Sequence, residues 1–204
     1  MVTVAEAELH GVLGSLPAPW RHAVGLVQNE LLPRDWEQHH IEAPTVVAVW
    51  FEKKAGKAVK VIRPSIAAGP GAGLIVDALT SIGIDAAATE DAAMVGELVA
   101  KNAYILVSNI AGLASGGTVG DLWHHHRDLA EEVAVEVLDI QEGLLGDAVD
   151  RSAAIEAVAA AFEADPDHAA TGRSAPERLQ RALGHADDLG LAVPRLRAIA
   201  ADGL

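Results

Sequence analysis

The sequence predicts an α/β half followed by an all-helical half, and three observations carry that expectation. Half of the 204 residues are hydrophobic but only 3% are aromatic, so Ala, Val, Leu and Ile must fill the core. That composition suits helices and buried strands better than an aromatic-rich sandwich. Short β-type runs alternate with turn signals before Ala88, and strand patterns nearly vanish after Thr89. The expected domains are therefore residues 1–88 and 89–204.

In chain order, His22–Gln28 (HAVGLVQ) reads as a compact strand after the Pro17-Ala18-Pro19 break. Thr45–Phe51 (TVVAVWF) is almost continuously apolar and β-branched, the pattern of a strand buried on both faces. Ala58–Ile62 alternates and stops before Pro64, as an edge strand does, and Gly56 supplies a hairpin turn between these two runs. Gly73–Ile82 reads as a helix with Leu74, Ala78 and Ile82 on its apolar side and Gly83 as its C-terminal stop. Ile84–Ala88 is a further short strand. Thr89 opens a long helical pattern. Asp128–Glu142, Ser152–Phe162, Pro176–Leu189 and Ala192–Ala201 are further helices.

The charge balance, 15 Lys and Arg against 29 Asp and Glu, gives a formal net charge of −14 and argues against nucleic-acid binding. Zero cysteine excludes disulfides, thiolate metal sites and Cys nucleophiles. The N-terminus has no basic region before an apolar run, and the longest apolar stretch, near Ala100–Leu113, is interrupted by polar residues. The expectation is a cytoplasmic protein with no membrane partner. His124, His125 and His126 are consecutive, so their side chains diverge by ~100° each on a helix and cannot share one ion. His39 and His40 are also adjacent, and no metal is expected. The carboxylates of Glu131, Glu132, Glu136 and Asp139 are expected on a solvated helix face. The four Trp are expected to be packing anchors.

The strongest local signal lies in Lys101–Leu113 (KNAYILVSNIAGL). At ~100° per residue, Lys101, Asn102, Ser108 and Asn109 fall within an arc of roughly 120°, and Ala103, Leu106, Val107 and Ile110 fill the rest. A helix apolar on most sides should be buried, and its polar stripe then carries an ammonium and two amides. Such a stripe is either a solvated face or a cleft wall that holds an anion and delivers a proton.

Those residues bring a family into view. KNAYILVSN, then TVGDLWHHHRDLAEEVAVEVLDIQEGLLG, then ADDLGLAVP near the C-terminus resembles the helical domain of ketopantoate reductases. GLVQNELLP and TVVAVWFEKKAGKAVKVI look like strand segments of that family's first domain. The resemblance implies a partial Rossmann-like sheet layer followed by a helical C-terminal domain. It implies that Lys101 is the catalytic lysine, that Asn109 and Asn29 bind substrate, and that the substrate is a small 2-keto acid or related carboxylate. The family's first helix asparagine is replaced by Ile105, with Asn102 polar but at another offset. Ser174 and Pro176 stand where the family has an E-x-D segment.

The family opens with a strand, a G-x-G-x-x-G turn and a helix that receive the NADPH pyrophosphate. The only glycine cluster before a helix here is GPGAG, Gly69–Gly73, expected to be a helix-entry turn and not a phosphate loop. Two readings follow. One is a degenerate reductase relative that binds no NADPH on its own and acts as a binding protein. The other is an NADPH-dependent reductase of a small 2-keto acid, completed by a nucleotide-binding partner or a missing segment. A first domain lacking its front strands would expose a sheet edge. The N-terminal segment, a second copy in a homo-oligomer or a partner chain is expected to cover that edge.

Overall fold

The computed structural model describes residues 1–53 and 55–203. The chain divides into two compact units, Met1–Leu98 and Val99–Leu204, so the division falls ten residues beyond Ala88.

The first unit is built on a four-stranded sheet in the order β1-β2-β5-β6, from β1 (Gly25–Leu26), β2 (Thr45–Ala48), β5 (Ser65–Ala68) and β6 (Ala86–Ala88). The outer pairs are parallel, with Gly25 opposite Thr45 and Ser65 opposite Ala86. The central pair is antiparallel, with Val47 opposite Ala67. A separate hairpin joins β3 (Phe51–Glu52) to β4 (Lys60–Val61), and Gly56 has φ +74° in its connection, as the turn reading expects.

Three local expectations are corrected. The His22–Gln28 strand shrinks to two residues because Ala18–Ala23 forms a 3₁₀ helix behind Pro17. The Thr45–Phe51 run breaks at Val49–Trp50, where the Trp50 amide bonds to Ser65 Oγ at 3.0 Å instead of continuing the ladder. Beyond Pro64, where the sequence reading stops the strand, Ser65–Ala68 adds a strand at the centre of the sheet.

Val2 forms a parallel bridge with Leu26, and its amide donates to Gly25 O at 2.7 Å. The buried Gln28 holds it there by donating from Nε2 to Val2 O at 2.9 Å. The segment before α1 (Leu9–Ser15) thus lies along the β1 side of the sheet.

A short helix, α2 (Arg34–Glu37), follows β1. The next helix, α3 (Ala72–Ser81), ends at Gly83, φ +77°, as expected. Its inward face differs from the expectation. Ala72, Ile75 and Val76 pack on Val47 and Ala67 of the sheet, while Leu74 and Ile82 are 74% and 70% exposed. Positions 72, 75 and 76 lie within about 100° of one another and 74 points away from them, while Ile82 is the C-cap beyond the last helical residue.

The long helix α4 (Asp91–Ser115) is one uninterrupted element of 25 residues. By length and composition it could cross a membrane, but 78% of its most apolar window is buried inside the protein.

In the second unit, α5 (Val119–His125) starts with a reciprocal cap. Thr118 Oγ1 accepts from the Asp121 amide and Asp121 Oδ2 accepts from the Thr118 amide, each at 3.1 Å. The amide bond from Thr118 holds the Asp121 carboxyl below its usual range. Then come α6 (Arg127–Leu145), α7 (Arg151–Ala164), α8 (Ala175–Leu189) and α9 (Pro194–Gly203). Gly146 and Gly190 end α6 and α8 in the left-handed conformation. The Phe162 ring packs against Tyr104 and Trp123, with centroids 5.6 Å from each. Trp36, Trp50 and Trp123 are buried anchors, whereas Trp20 is 65% exposed.

Glu136 corrects the solvated-face expectation. It is buried, and its two carboxylate oxygens accept from the amides of Arg195 and Leu196 at 2.8 and 2.9 Å. A carboxylate on α6 thus satisfies two of the open N–H groups at the start of α9 and complements its dipole.

Candidate functional site

The polar stripe of α4 is buried. Lys101, Asn102, Ser108 and Asn109 are 8%, 2%, 3% and 8% exposed, so the solvated-face alternative does not hold. Helical geometry sets Lys101 and Ser108 on one line, Asn102 and Asn109 on a second, with ~12 Å of rise between Lys101 and Asn109.

Lys101 Nζ lies 5.3 Å from the Tyr104 ring centroid, one turn along the helix. That distance gives a cation–π contact, and the Phe162 ring fixes Tyr104 in turn. An ammonium beside an aromatic face can attract a carboxylate or a carbonyl oxygen and pass it a proton.

Asn109 ties the unit together. Its Nδ2 donates to Ile105 O at 2.9 Å and Ser108 Oγ at 3.3 Å. Its Oδ1 accepts from the Gly172 amide at 3.3 Å and from Arg178 Nη1 at 3.1 Å. The backbone comes close beside it: a Cβ on Gly112 would lie 2.8 Å from Ala170 Cβ and 2.9 Å from Thr171 Cγ2. The loop before α8 therefore rests on α4 at Asn109 and Gly112.

Ser174 is exposed at the start of α8, two residues beyond Gly172, and its side chain makes no cap bond. Glu177 is exposed in the first turn of α8. Asn29 belongs to the first unit, where its Nδ2 donates to Glu6 Oε1 at 3.2 Å. The structure thus gathers Lys101, Asn102, Ser108 and Asn109 on one helix, with Ser174 near the loop that Asn109 holds.

Two participants escape the sequence reading. Arg178, partly buried, takes the second bond to Asn109, and its position four residues after Ser174 on α8 is the signal that could have found it. Gln141 is 2% exposed on α6 and donates to Val99 O at 3.4 Å. A glutamine between Ile140 and Leu138 on an apolar face is its signal.

The glycine cluster leads into α3, with Gly71 at its N-cap. A Cβ on Gly69, φ +91°, would lie 2.2 Å from Pro44 O. The Gly71 amide donates to Thr45 Oγ1 at 2.8 Å. The glycines thus admit the close approach of the Pro44–Thr45 segment. Among the described residues no group of three or more His, Asp or Glu could hold a metal ion.

No protein-family model and no curated protein sequence matches the chain. Solved structures do match it. A ketopantoate reductase from Ralstonia eutropha JMP134 superposes with a TM-score of 0.68 at 14% identity, over 97% of this chain and 72% of that one. A 2-dehydropantoate 2-reductase from Methylococcus capsulatus gives 0.66 at 15% identity, over 98% and 70%. D-mandelate dehydrogenase, solved with NADH, gives 0.61 at 10% identity, over 98% and 75%. An α/β sheet layer followed by a helical part, in this order of elements, is the fold of the ketopantoate reductase structures, and this chain has it.

Proposed function

We propose that the chain is a ketopantoate reductase-like binding protein whose helical unit holds a small 2-keto acid or related carboxylate and that binds no NADPH on its own. The observation that carries the carboxylate part is the burial of Lys101 together with Asn102, Ser108 and Asn109 in one polar stripe of α4. A buried ammonium on the same stripe as amide and hydroxyl groups suits the carboxylate or keto oxygen of a small acid. Asn109, held by Arg178 and Gly172, lies about two turns further along the same stripe, and Asn102 and Ser108 offer further polar contacts. Ser174, at the N-cap of α8 two residues beyond Gly172, is a further candidate contact of the helical unit. The Gly71–Thr45 bond supports the cofactor part, because it engages one amide of the glycine-rich entry to α3 with a hydroxyl.

A second reading has its own support. D-mandelate dehydrogenase, a structure with this fold, was solved with NADH. On that reading the chain reduces a small 2-keto acid with NADPH once a partner chain or further segment supplies the nucleotide site, and Lys101 delivers the proton to the developing alkoxide.

Calorimetric titration of ketopantoate and 2-oxoisovalerate into the chain and into Lys101→Met, with a parallel NADPH fluorescence titration, separates the readings. The first expects saturable keto-acid binding that Lys101→Met abolishes without lowering the melting temperature, and no NADPH saturation. Tight NADPH binding by the isolated chain would overturn it in favour of the second. Absence of keto-acid binding would remove the carboxylate site.

A further inference from the structure

The first unit contains a cavity of about 320 Å³ lined wholly by residues of Met1–Leu98. That volume is at the small end of the range for ligand sites, ~300–1,000 Å³. Its floor is apolar, formed by the buried Trp36, Val46, Met94 and Leu98. Its rim is acidic, formed by the exposed Glu37, Glu42 and Asp91. No Lys, Arg or His stands among its lining residues. Among the described residues the three rim carboxylates have no ion pair.

The cavity thus combines two preferences that few ligands meet together. Trp36 and Met94 offer an aromatic face and a polarisable thioether to a hydrocarbon or ring. The three formal negative charges at the mouth repel anions, and the partial positive charge of the α4 N-terminus, about half a unit, is too small to reverse their sign. We propose that this cavity binds a small primary ammonium ion with an apolar tail, an alkyl- or arylalkylamine, its tail over Trp36 and Met94 and its ammonium among Glu37, Glu42 and Asp91. The charge preference is opposite to that of Lys101, so the two sites take different ligands and the proposal does not depend on the carboxylate site.

The probe is phenethylammonium, followed by the Trp36 indole N–H signal in ¹H–¹⁵N spectra, with 3-phenylpropionate as the anion of nearly equal shape. The combined variant Glu37→Gln, Glu42→Gln and Asp91→Asn changes exposed residues only, and Ala92→Trp, at an exposed lining position, blocks the mouth. Melting temperatures confirm that both fold. The expected result is a saturable shift for the amine, weakened at least tenfold in the neutralised variant, lost in Ala92→Trp and absent for 3-phenylpropionate. The proposal is overturned by no saturable Trp36 shift at about 10 mM amine, by equal binding of the acid, or by unchanged affinity in the neutralised variant.

Discussion

Arg178 of α8 donates to Asn109 of α4 at 3.1 Å, and the same Asn109 oxygen accepts the Gly172 amide. One side chain therefore fixes both a loop and the helix that follows it. Asn109→Leu removes the acceptor of both bonds. It should cost about 2 kcal/mol, or some 4–8 °C of melting temperature for a chain of this size. Arg178→Lys, which keeps the charge but not the planar fork, should cost less, about 1 kcal/mol. Urea unfolding of the three proteins tests the order.

Glu136 makes a sharper prediction, because both its oxygens are engaged and it is buried. Glu136→Ala strands two amides at the start of α9 and should cost about 2–3 kcal/mol. Glu136→Gln keeps one acceptor and should cost about half as much. Hydrogen exchange should localise the loss to the Arg195 and Leu196 amides. Uniform loss of protection across the second unit would contradict the local account.

Gly112 leaves no room for a side chain, since even a Cβ would lie 2.8 Å from Ala170 Cβ and 2.9 Å from the Ala170 carbonyl carbon. Gly112→Val should destabilise by about 1–3 kcal/mol, whereas Gly96→Ala on the same helix, with nothing within 4 Å, should be neutral or stabilising. Thermal melts of the two variants separate crowding from helix propensity, which favours both substitutions.

Acid sensitivity should come in two stages of the same sign. The His39 imidazole is held below its ordinary value, first by burial and then by His10, whose Nδ1 lies 3.1 Å from His39 Nε2. The unfolded chain then binds more protons, so this contribution is complete above pH ~6.5 and is lost as pH falls through the folded value. The Glu142 carboxyl is also held low, by the hydrogen bond from Arg151 and then by the Val149 amide. Its contribution is complete above ~4.3 and drains at lower pH. His39→Gln should flatten the melting curve's pH dependence between 7 and 5, and Arg151→Met only its limb below about 4.5. NMR titration of the His39 ring and melts across pH check both stages.

The sequence reveals α4 and its stripe because angular arithmetic on one helix needs no knowledge of its neighbours. It misses β5 because Ser65–Ala68 is four residues long and follows a proline, so only its pairing with β2 and β6 marks it as a strand. Glu136 lies within about 20° of Leu129 on α6, and charge outweighed position in assigning it to solvent. Its partners lie far along the chain at Arg195 and Leu196. For α3 the periodicity is present, but two apolar stripes compete, and the sheet selects Ile75 and Val76 over Leu74 and Ile82. Asn109 is legible in the sequence as a polar position on α4; its bond to Arg178 is not.

The glycines at close approaches bear on how far such a chain can drift. Where a Cβ on Gly112 or Gly120 would strike the backbone of Ala170 or Pro166, the close approach is made by main chain and by the absence of a side chain. Contacts of that kind are indifferent to nearly every substitution elsewhere. They let the side-chain composition turn over while segment spacing stays constant. Variation accumulated over long divergence should therefore be freest on helix surfaces and scarcest at positions that have no side chain to change.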